Sequence, residues 1–542
     1  MRNFWKNRDG NVAMLTGLSV LPLVVLAGAA IDMAVVITDK NRIHHALDIA
    51  ALNTARELTD KPSLADKPAD VLEFAAAAFH LNYTGSTRAG TNVTTKDSRL
   101  AIDLSQTLVK VNGVVQEVVL SAAGKHKTNF MRIMIGNTPV NTKTTSAATV
   151  RNDTFDVVMV LDNSGSMDND GKIGALRTAA EDLTNTLMGM NVGTGMSDRV
   201  KIGLVPFSGY VNVGSANKSA SWMDTEGASP IHSENFDATA NRFTLFDQIK
   251  NVTWQGCVES RPSPYDIDDT APSTGTPATL FVPIFAPDEP DDDNDNDSRK
   301  NPYTNNYLDD EGGTCTGRAP SGSKRPELSQ NRLCKYDKDV SPSSDARKSN
   351  GTTEGPNYRC YSTPILPVTN TKKTVVDAIK AMKANGPTNI HQGIMWGWRT
   401  LSKGEPFTES RDDNKKNHIK AMVVMTDGQN DYGSFPSGSH NESKYGAYGF
   451  AELNRISASN KTDDDKWDDR MDVLTATACT NAKAAKIKVY TIAFQVDDKD
   501  TEEMLKKCAT RSDMYFSSAS NAELKAAFQE IAESISKLRL SQ

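Results

Sequence analysis

Asp162-Asn163-Ser164-Gly165-Ser166 spaces one carboxylate and two hydroxyls at alternating positions, so three oxygens can turn toward one point. An oxygen-only set selects a hard divalent cation, magnesium or else manganese or calcium, over zinc. Taken alone, the pentapeptide has a second, less favoured reading as an ordinary Asx or Ser turn leading into a helix. Two further loops supply complementary groups. Gly386-Pro387-Thr388-Asn389-Ile390 offers the Thr388 hydroxyl just before a helical pattern, and Met422-Val423-Val424-Met425-Thr426-Asp427-Gly428 ends an apolar run in the Asp427 carboxylate. Asp162, Ser164, Ser166, Thr388 and Asp427 are therefore the candidate metal ligands. The rival chemistry is hydrolysis by metal-activated water, for which His391 is the near candidate base. No P-loop, HExxH or CxxC pair accompanies these residues.

Strands and helices must carry these loops. Phe155-Asp156-Val157-Val158-Met159-Val160-Leu161 reads as a buried parallel strand ending at the first loop, and in an open α/β sheet ligands bind beyond the carboxyl ends of strands where the strand order reverses. Ile173, Leu176, Ala180, Leu183 and Leu187 recur at helical steps and predict an amphipathic helix after that loop. Val200 to Val205 and Lys488 to Phe494 read as further strands. Val375, Ile379 and Met382 mark one helix; Ile390, Ile394, Trp398 and Leu401 mark another beside Thr388. Trp396 and Trp398 read as core residues in preference to a binding box. The chain closes on a helix that begins with Ser520-Asn521-Ala522-Glu523 and buries Leu524, Phe528, Ile531 and Ile535.

The order, residue types and context of the three loops resemble the metal-ion-dependent adhesion site of von Willebrand factor type A domains. That resemblance implies an α/β fold for residues 153–540, a doubly wound, mostly parallel, Rossmann-like sheet. It also implies that Ser164, Ser166 and in some members Thr388 bind the ion directly, while Asp162 and Asp427 act mostly through water. One position then stays open for a carboxylate from a protein partner.

The N-terminal part has a different character. Val12 to Ile37 is apolar apart from Thr16, Ser19, Pro22 and Asp32, and about 20 residues of helix suffice to cross a bilayer. Arg2, Lys6 and Arg8 precede it, which predicts a cytoplasmic residue 1–11 segment, a transmembrane helix over 12–38 and an external remainder. Ala27-Gly28-Ala29-Ala30 admits the alternative of a cleaved signal. Ile43, Leu47, Ala50, Ala51, Ala55 and Leu58 extend the helix into a stalk. A second helix over Ala69 to Leu81 and β runs at Leu100 to Leu104 and Val118 to Ser121 complete a small α+β region, 39–150. His44 and His45, adjacent on a helix, point apart and read as solvated. All six cysteines lie beyond the membrane segment, as an oxidising compartment permits; the favoured pairs are Cys257 with Cys360, Cys315 with Cys334 and Cys479 with Cys508.

With Gly10-Asn11-Val12-Ala13, Pro22 and Asp32 at the start, then Val205-Pro206-Phe207-Ser208, Gly256-Cys257-Val258-Glu259 and the metal loops, the whole chain resembles TadG-like proteins of Tad (Flp) pilus assembly. Such proteins join a pilin-like membrane region to a von Willebrand type A domain. Leu15 stands where processed prepilins carry Glu, counting from Gly10, so the segment is expected to remain an uncleaved anchor. The resemblance implies a noncatalytic component of the cytoplasmic membrane, its bulk in the periplasm or outside, that binds pilus subunits or a surface ligand through the ion.

Two insertions interrupt the larger domain, at about 214–367 and 429–468, both rich in loop-forming residues. Asp288 to Asp297 fails the EF-hand pattern, with Ser298 and Thr304 at the Gly and Glu positions counted from Asp293. That run and Asp463-Asp464-Asp465 read as solvated, self-repelling loops. An alternative has a residue of Asp291 to Asp297 occupying the metal site from within. The net charge of -7 argues against nucleic-acid binding.

Overall fold

The computed structural model describes residues 8–84, 92–94, 100–111, 114–150, 153–191, 197–291, 302–318, 325–337, 340–343, 354–412 and 417–537. The chain forms two units, Met1–Asn152 with Met190–Asp198, and Asp153–Gly189 with Arg199–Gln542.

In the smaller unit, α1 (Arg8–Asp60) is one uninterrupted helix of 53 residues with Pro22 inside it. Its first half is apolar on every side and leaves Met14, Leu15, Leu18, Leu23 and Ile31 exposed. It is long and apolar enough to cross a membrane. Beyond Ile43 the apolar residues narrow to one stripe. Ile43, Leu47, Ala50, Ala51, Ala55 and Leu58 bury against Val71 and Phe79 of α2 (Pro68–Thr84). They also meet a four-stranded antiparallel sheet, β1 (Asn92–Thr94), β2 (Leu100–Val111), β3 (Val114–His126) and β4 (Val140–Thr149), in that order. Strand alternation puts Ile102, Leu104, Val118 and Leu120 on the covered face. A short helix, α3 (Arg132–Ile135), lies between β3 and β4. His44 and His45 are exposed.

The larger unit is a mixed α/β structure around an eight-stranded sheet. Its strands are β5 (Thr154–Asp162), β6 (Val200–Phe207), β7 (Val211–Asn212), β8 (Cys257–Val258), β9 (Leu366–Thr369), β10 (His418–Thr426), β11 (Lys488–Phe494) and β12 (Tyr515–Ser518). The order is β12-β11-β10-β5-β6-β7-β8, with β9 also paired to β6. The run from β12 to β6 is parallel, and β7, β8 and β9 add antiparallel pairing at one side. The helices are α4 (Lys172–Met188), the short α5 (Arg242–Gln248) and α6 (Arg325–Gln330), α7 (Lys372–Ala381), α8 (Ile390–Leu401), α9 (Asp464–Ala484), α10 (Lys499–Cys508) and α11 (Asn521–Lys537). Helix α4 packs with α7 and α11, and α9 packs with α8 and α10. Every residue of α8 is buried, Trp396 and Trp398 included. A Cβ at Gly397 would lie 2.5 Å from Val160, so glycine is what lets α8 lie flat on β5.

All three favoured disulfides are formed, with Cα–Cα separations of 5.8, 4.8 and 5.1 Å for Cys257–Cys360, Cys315–Cys334 and Cys479–Cys508.

The insertions depart from the reading of loose loops. Trp222, Phe236, Phe246, Phe281 and Phe285 of the first join Val158, Val160 and Phe207 of the sheet in a single core. In the second, Tyr432 stacks on Trp467 at 4.9 Å between ring centroids, with Tyr448 and Met471 around them. Asp288 and Glu289 are buried, which corrects the solvated reading for this part of the acidic run. Lys335 pairs with Asp288 at 2.8 Å and Asp310 at 3.1 Å, and the Tyr307 and Leu308 amides donate to Asp288 Oδ1. Residues 292–297 of that run lie outside the described residues. Asp463 is the N-cap of α9, with Asp464 and Asp465 in its first turn, where the helix dipole favours negative charge over the loop expected there.

Candidate metal centre

β5 is followed in sequence by β6 on one side and paired with β10 on the other, so strand order reverses between β5 and β10. Their register sets Met425 beside Leu161, which brings the ends Asp162 and Thr426-Asp427 together at the carboxyl edge. Both strands are apolar runs buried on two faces, so the first polar residues after them emerge at the same level.

Asp162 is fully buried. Its Oδ1 accepts the Ser164 amide at 2.7 Å and its Oδ2 accepts the Thr426 hydroxyl at 2.6 Å. Burial, and next the negative charge of Asp427, push its pKa up to about 6, while the bonds from Thr426 and Ser164 pull the other way. Ser166 Oγ donates to Asp427 Oδ1 at 2.6 Å; Ser164 Oγ lies 3.4 Å from the same oxygen and 3.0 Å from Ser166 Oγ. The opposite oxygen, Asp427 Oδ2, pairs with Lys172 Nζ at 2.8 Å. The Lys172 ammonium also lies 5.8 Å from the centroid of the Phe494 ring.

Thr388 sits on the adjoining loop. Gly165 N–H donates to the Gly386 carbonyl at 2.8 Å and Asn385 N–H to the Asn163 carbonyl at 2.8 Å, so the second loop lies along the first. Thr388 and Asp431 exchange two backbone bonds of 3.2 and 2.9 Å, and Asn389 caps α8 by accepting the Gln392 amide. Thus Asp162, Ser164, Ser166 and Asp427 meet through their side chains, and Thr388 is fixed by its backbone beside them.

Among the described residues no group of three or more His, Cys, Asp or Glu is placed to hold a metal. The cluster has two carboxylates and depends on hydroxyls for the rest. That donor set fits a hard cation, and a buried Asp162 pushed up in pKa by a second carboxylate is a group that gains from added positive charge.

Two members escaped the sequence reading. Thr426 stood inside the quoted strand, where a β-branched residue needs no special role. Lys172, just before the apolar stripe that begins at Ile173, carries no local pattern that links it to Asp427.

His391, the candidate base, is committed elsewhere. Its Nδ1 lies 2.7 Å from the Tyr448 hydroxyl and its Nε2 lies 2.9 Å from the Asp266 carbonyl; burial pushes its pKa down to about 3. Asp291, the described member of the self-occupancy alternative, bonds Asn306 and the Asp310 amide instead.

Comparison with curated proteins finds no match. Among solved structures, the pilus adhesin SpaC from Lactobacillus rhamnosus GG in its open conformation is 12% identical, with a TM-score of 0.31 over 82% of this chain and 35% of that one. The vWF domain of the type V pili tip protein Mfa5 from Porphyromonas gingivalis is 11% identical, TM-score 0.30, covering 71% of this chain and 95% of that one. The PilB minor pilin from Streptococcus sanguinis is 11% identical, TM-score 0.31, covering 80% and 79%. The chain spans about a third of the length of SpaC. These scores assign nothing to the larger unit. The firm similarity is at the N-terminus, where residues 10–57, within α1, match the family described as "Putative Flp pilus-assembly TadE/G-like".

Proposed function

We propose that the larger unit is a von Willebrand type A-like, doubly wound domain whose three loops hold magnesium, or manganese or calcium, and use it to grip a carboxylate on a protein partner. The chain then serves as a membrane-anchored, noncatalytic component of Tad (Flp) pilus assembly or surface attachment, with α1 as its anchor and its bulk outside the cytoplasmic membrane. The observation that carries this reading is the convergence of the Ser164 and Ser166 hydroxyls on Asp427 Oδ1, across loops more than 260 residues apart in sequence, at the point where strand order reverses.

Ser164, Ser166 and Thr388 would offer hydroxyl oxygens, and Asp162 and Asp427 would orient them. When bound, the ion supplies a Lewis-acidic position for an incoming carboxylate. Thr426 holds Asp162 and Lys172 holds the far oxygen of Asp427, so both carboxylates are aimed before any ion arrives. The N-terminal match to a pilus-assembly family supports the setting.

Titration calorimetry of the detergent-solubilised full chain with magnesium and manganese tests the site. Saturable binding is expected, and Ser166→Ala should weaken it at least tenfold. An unchanged affinity in Ser166→Ala and Asp427→Asn, with both variants folded, rejects the site.

A further inference from the structure

Asp32 sits in the apolar stretch of α1, yet it is almost fully buried. Its carboxylate accepts three backbone N–H groups from the turn after β3: Asn129 at 3.2 Å, Phe130 at 2.6 Å and Met131 at 2.7 Å. One helical turn earlier, Phe130 lies directly on the helix at Gly28, where a Cβ would come within 2.5 Å of the ring. The turn and α3 are thus clamped to α1 at Gly28 and Asp32.

That level has a meaning along the helix. Counting from Val12, about 20 residues at ~1.5 Å each bring the helix to Ile31, which is about 30 Å, the thickness of the hydrocarbon layer. A hydrocarbon layer that begins at Val12 thus ends beside Asp32, within the apolar run that continues to Ile37, and the three amide bonds remove the penalty of an unpaired carboxylate there. The clamped segment keeps apolar surface open: Phe130, packed on α1 at Gly28, is still 40% exposed, and Ile133 is 68% exposed. Exposed cations flank them, Lys125, Lys127 and Arg132. Single exposed apolar side chains are commonplace, but here they share one level with the end of the membrane span and are ringed by groups that pair with phosphates.

We propose that Lys125–Ile133 is a second membrane contact, in which Phe130 and Ile133 enter the headgroup–acyl boundary of the outer leaflet and Lys125, Lys127 and Arg132 meet lipid phosphates. The occupant is phospholipid. The geometry makes α3 a collar at the exit of α1, which fixes the depth of the helix in the bilayer. This inference rests on the reading of α1 as a membrane anchor.

All native cysteines are in disulfides, so a single added cysteine takes a dye alone. The full chain is reconstituted in phosphatidylcholine–phosphatidylglycerol vesicles containing lipids with a spin-label quencher at shallow or deep positions. A nitrobenzoxadiazole dye is placed at Ile133→Cys, at Leu18→Cys in the middle of the span, and at Thr107→Cys, whose β3 partner Val119 is seven residues from the end of that strand. Shallow lipids should quench the Ile133 site several-fold more than the Thr107 site, deep lipids should quench the Leu18 site, and adding Asp32→Ala should reduce quenching at Ile133 alone. Equal quenching at Ile133 and Thr107, with Leu18 quenched, overturns the collar and leaves the anchor standing. An unquenched Leu18 overturns the anchor and the collar together. A dye at Ile133 that is shielded only as the protein-to-lipid ratio rises assigns the patch to a second copy of the chain and also overturns the proposal.

Discussion

The larger unit buries two acidic clusters, each with one lysine, and they are built for different ends. Around Asp288 the second charge is Asp310, and the ammonium of Lys335 contacts both carboxylates from a position sealed from solvent. Asp288 also accepts the backbone amides of Tyr307 and Leu308, and Asp310 accepts that of Asp291; amide N–H groups donate but never accept. Around Asp162 and Asp427 one partner is the Ser164 amide and the others are the hydroxyls of Ser164, Ser166 and Thr426, and Lys172 touches only the outer oxygen of Asp427. A cluster closed by amides alone adds no acceptor beyond its carboxylates; one that includes serine hydroxyls does.

The lysines give the widest test of that contrast. Lys335→Met leaves Asp288 and Asp310 buried without compensation, and unfolding in urea should show a loss of about 3–5 kcal/mol, the usual result of breaking a buried pair. Magnesium should restore none of it. Recovery by magnesium would make the Asp288 cluster a second cation site and erase the distinction. Lys172→Met should lose less, about 2 kcal/mol, because the Lys172 side chain is 11% exposed where that of Lys335 is sealed, and the serine hydroxyls remain. Here saturating magnesium should restore most of the loss, since at about 100 times the dissociation constant binding adds ~2.7 kcal/mol. Equal losses in both variants, each blind to magnesium, would mean that both clusters are structural.

A third effect, no larger than the second, concerns acidity. Burial pushes Glu289 up to about 7 despite amide bonds from Thr304 and Asn305. Because its folded pKa lies above the unfolded value of about 4.5, the folded form holds the extra proton between those limits. Glu289 therefore costs stability as pH rises from 4.5 through 7 and has no such effect below 4.5. Glu289→Gln should flatten this limb of the stability–pH curve by roughly 2 kcal/mol. An unchanged slope in the variant would assign that limb to other groups.

How much could be read from the sequence follows the same divide. The meeting of these loops was legible because its parts are local: a buried strand shows as an unbroken apolar run, and the polar residues that end it are neighbours in sequence, as Leu161-Asp162 and Thr426-Asp427 show. That the cysteines pair was legible from their even number and their place beyond the apolar helix; which pairs form was a preference that the structure bears out. The interior of the insertions was not legible. Glu289 is satisfied by Asn441, and Glu259 by both Arg242 and Arg455, partners that no local pattern connects. Asp288 and Glu289 looked solvated because charge patterning reports the average environment of an acidic run, whereas burial depends on which lysine or amide the fold delivers. Asp464 and Asp465 misled for another reason, since the same charges that favour a loop also favour the start of a helix.

The continuity of α1 has a further consequence, which concerns rotational phase. Asp32, Val36, Ile43, Leu47, Ala50 and Leu58 are all buried within one unit, although Asp32 holds the turn after β3 and Ile43, Leu47, Ala50 and Leu58 pack in the core of the sheet and α2. From Asp32 to Ile43 is 11 residues, close to three turns at about 3.6 residues each, so both ends of the stripe face the same way. One residue inserted among Thr38 to Arg42 would preserve the apolar run and the stalk stripe, yet turn one against the other by about 100°. The helix therefore works as a key as well as a rod: its length carries the unit, and its register decides whether Asp32 still finds the turn that it holds.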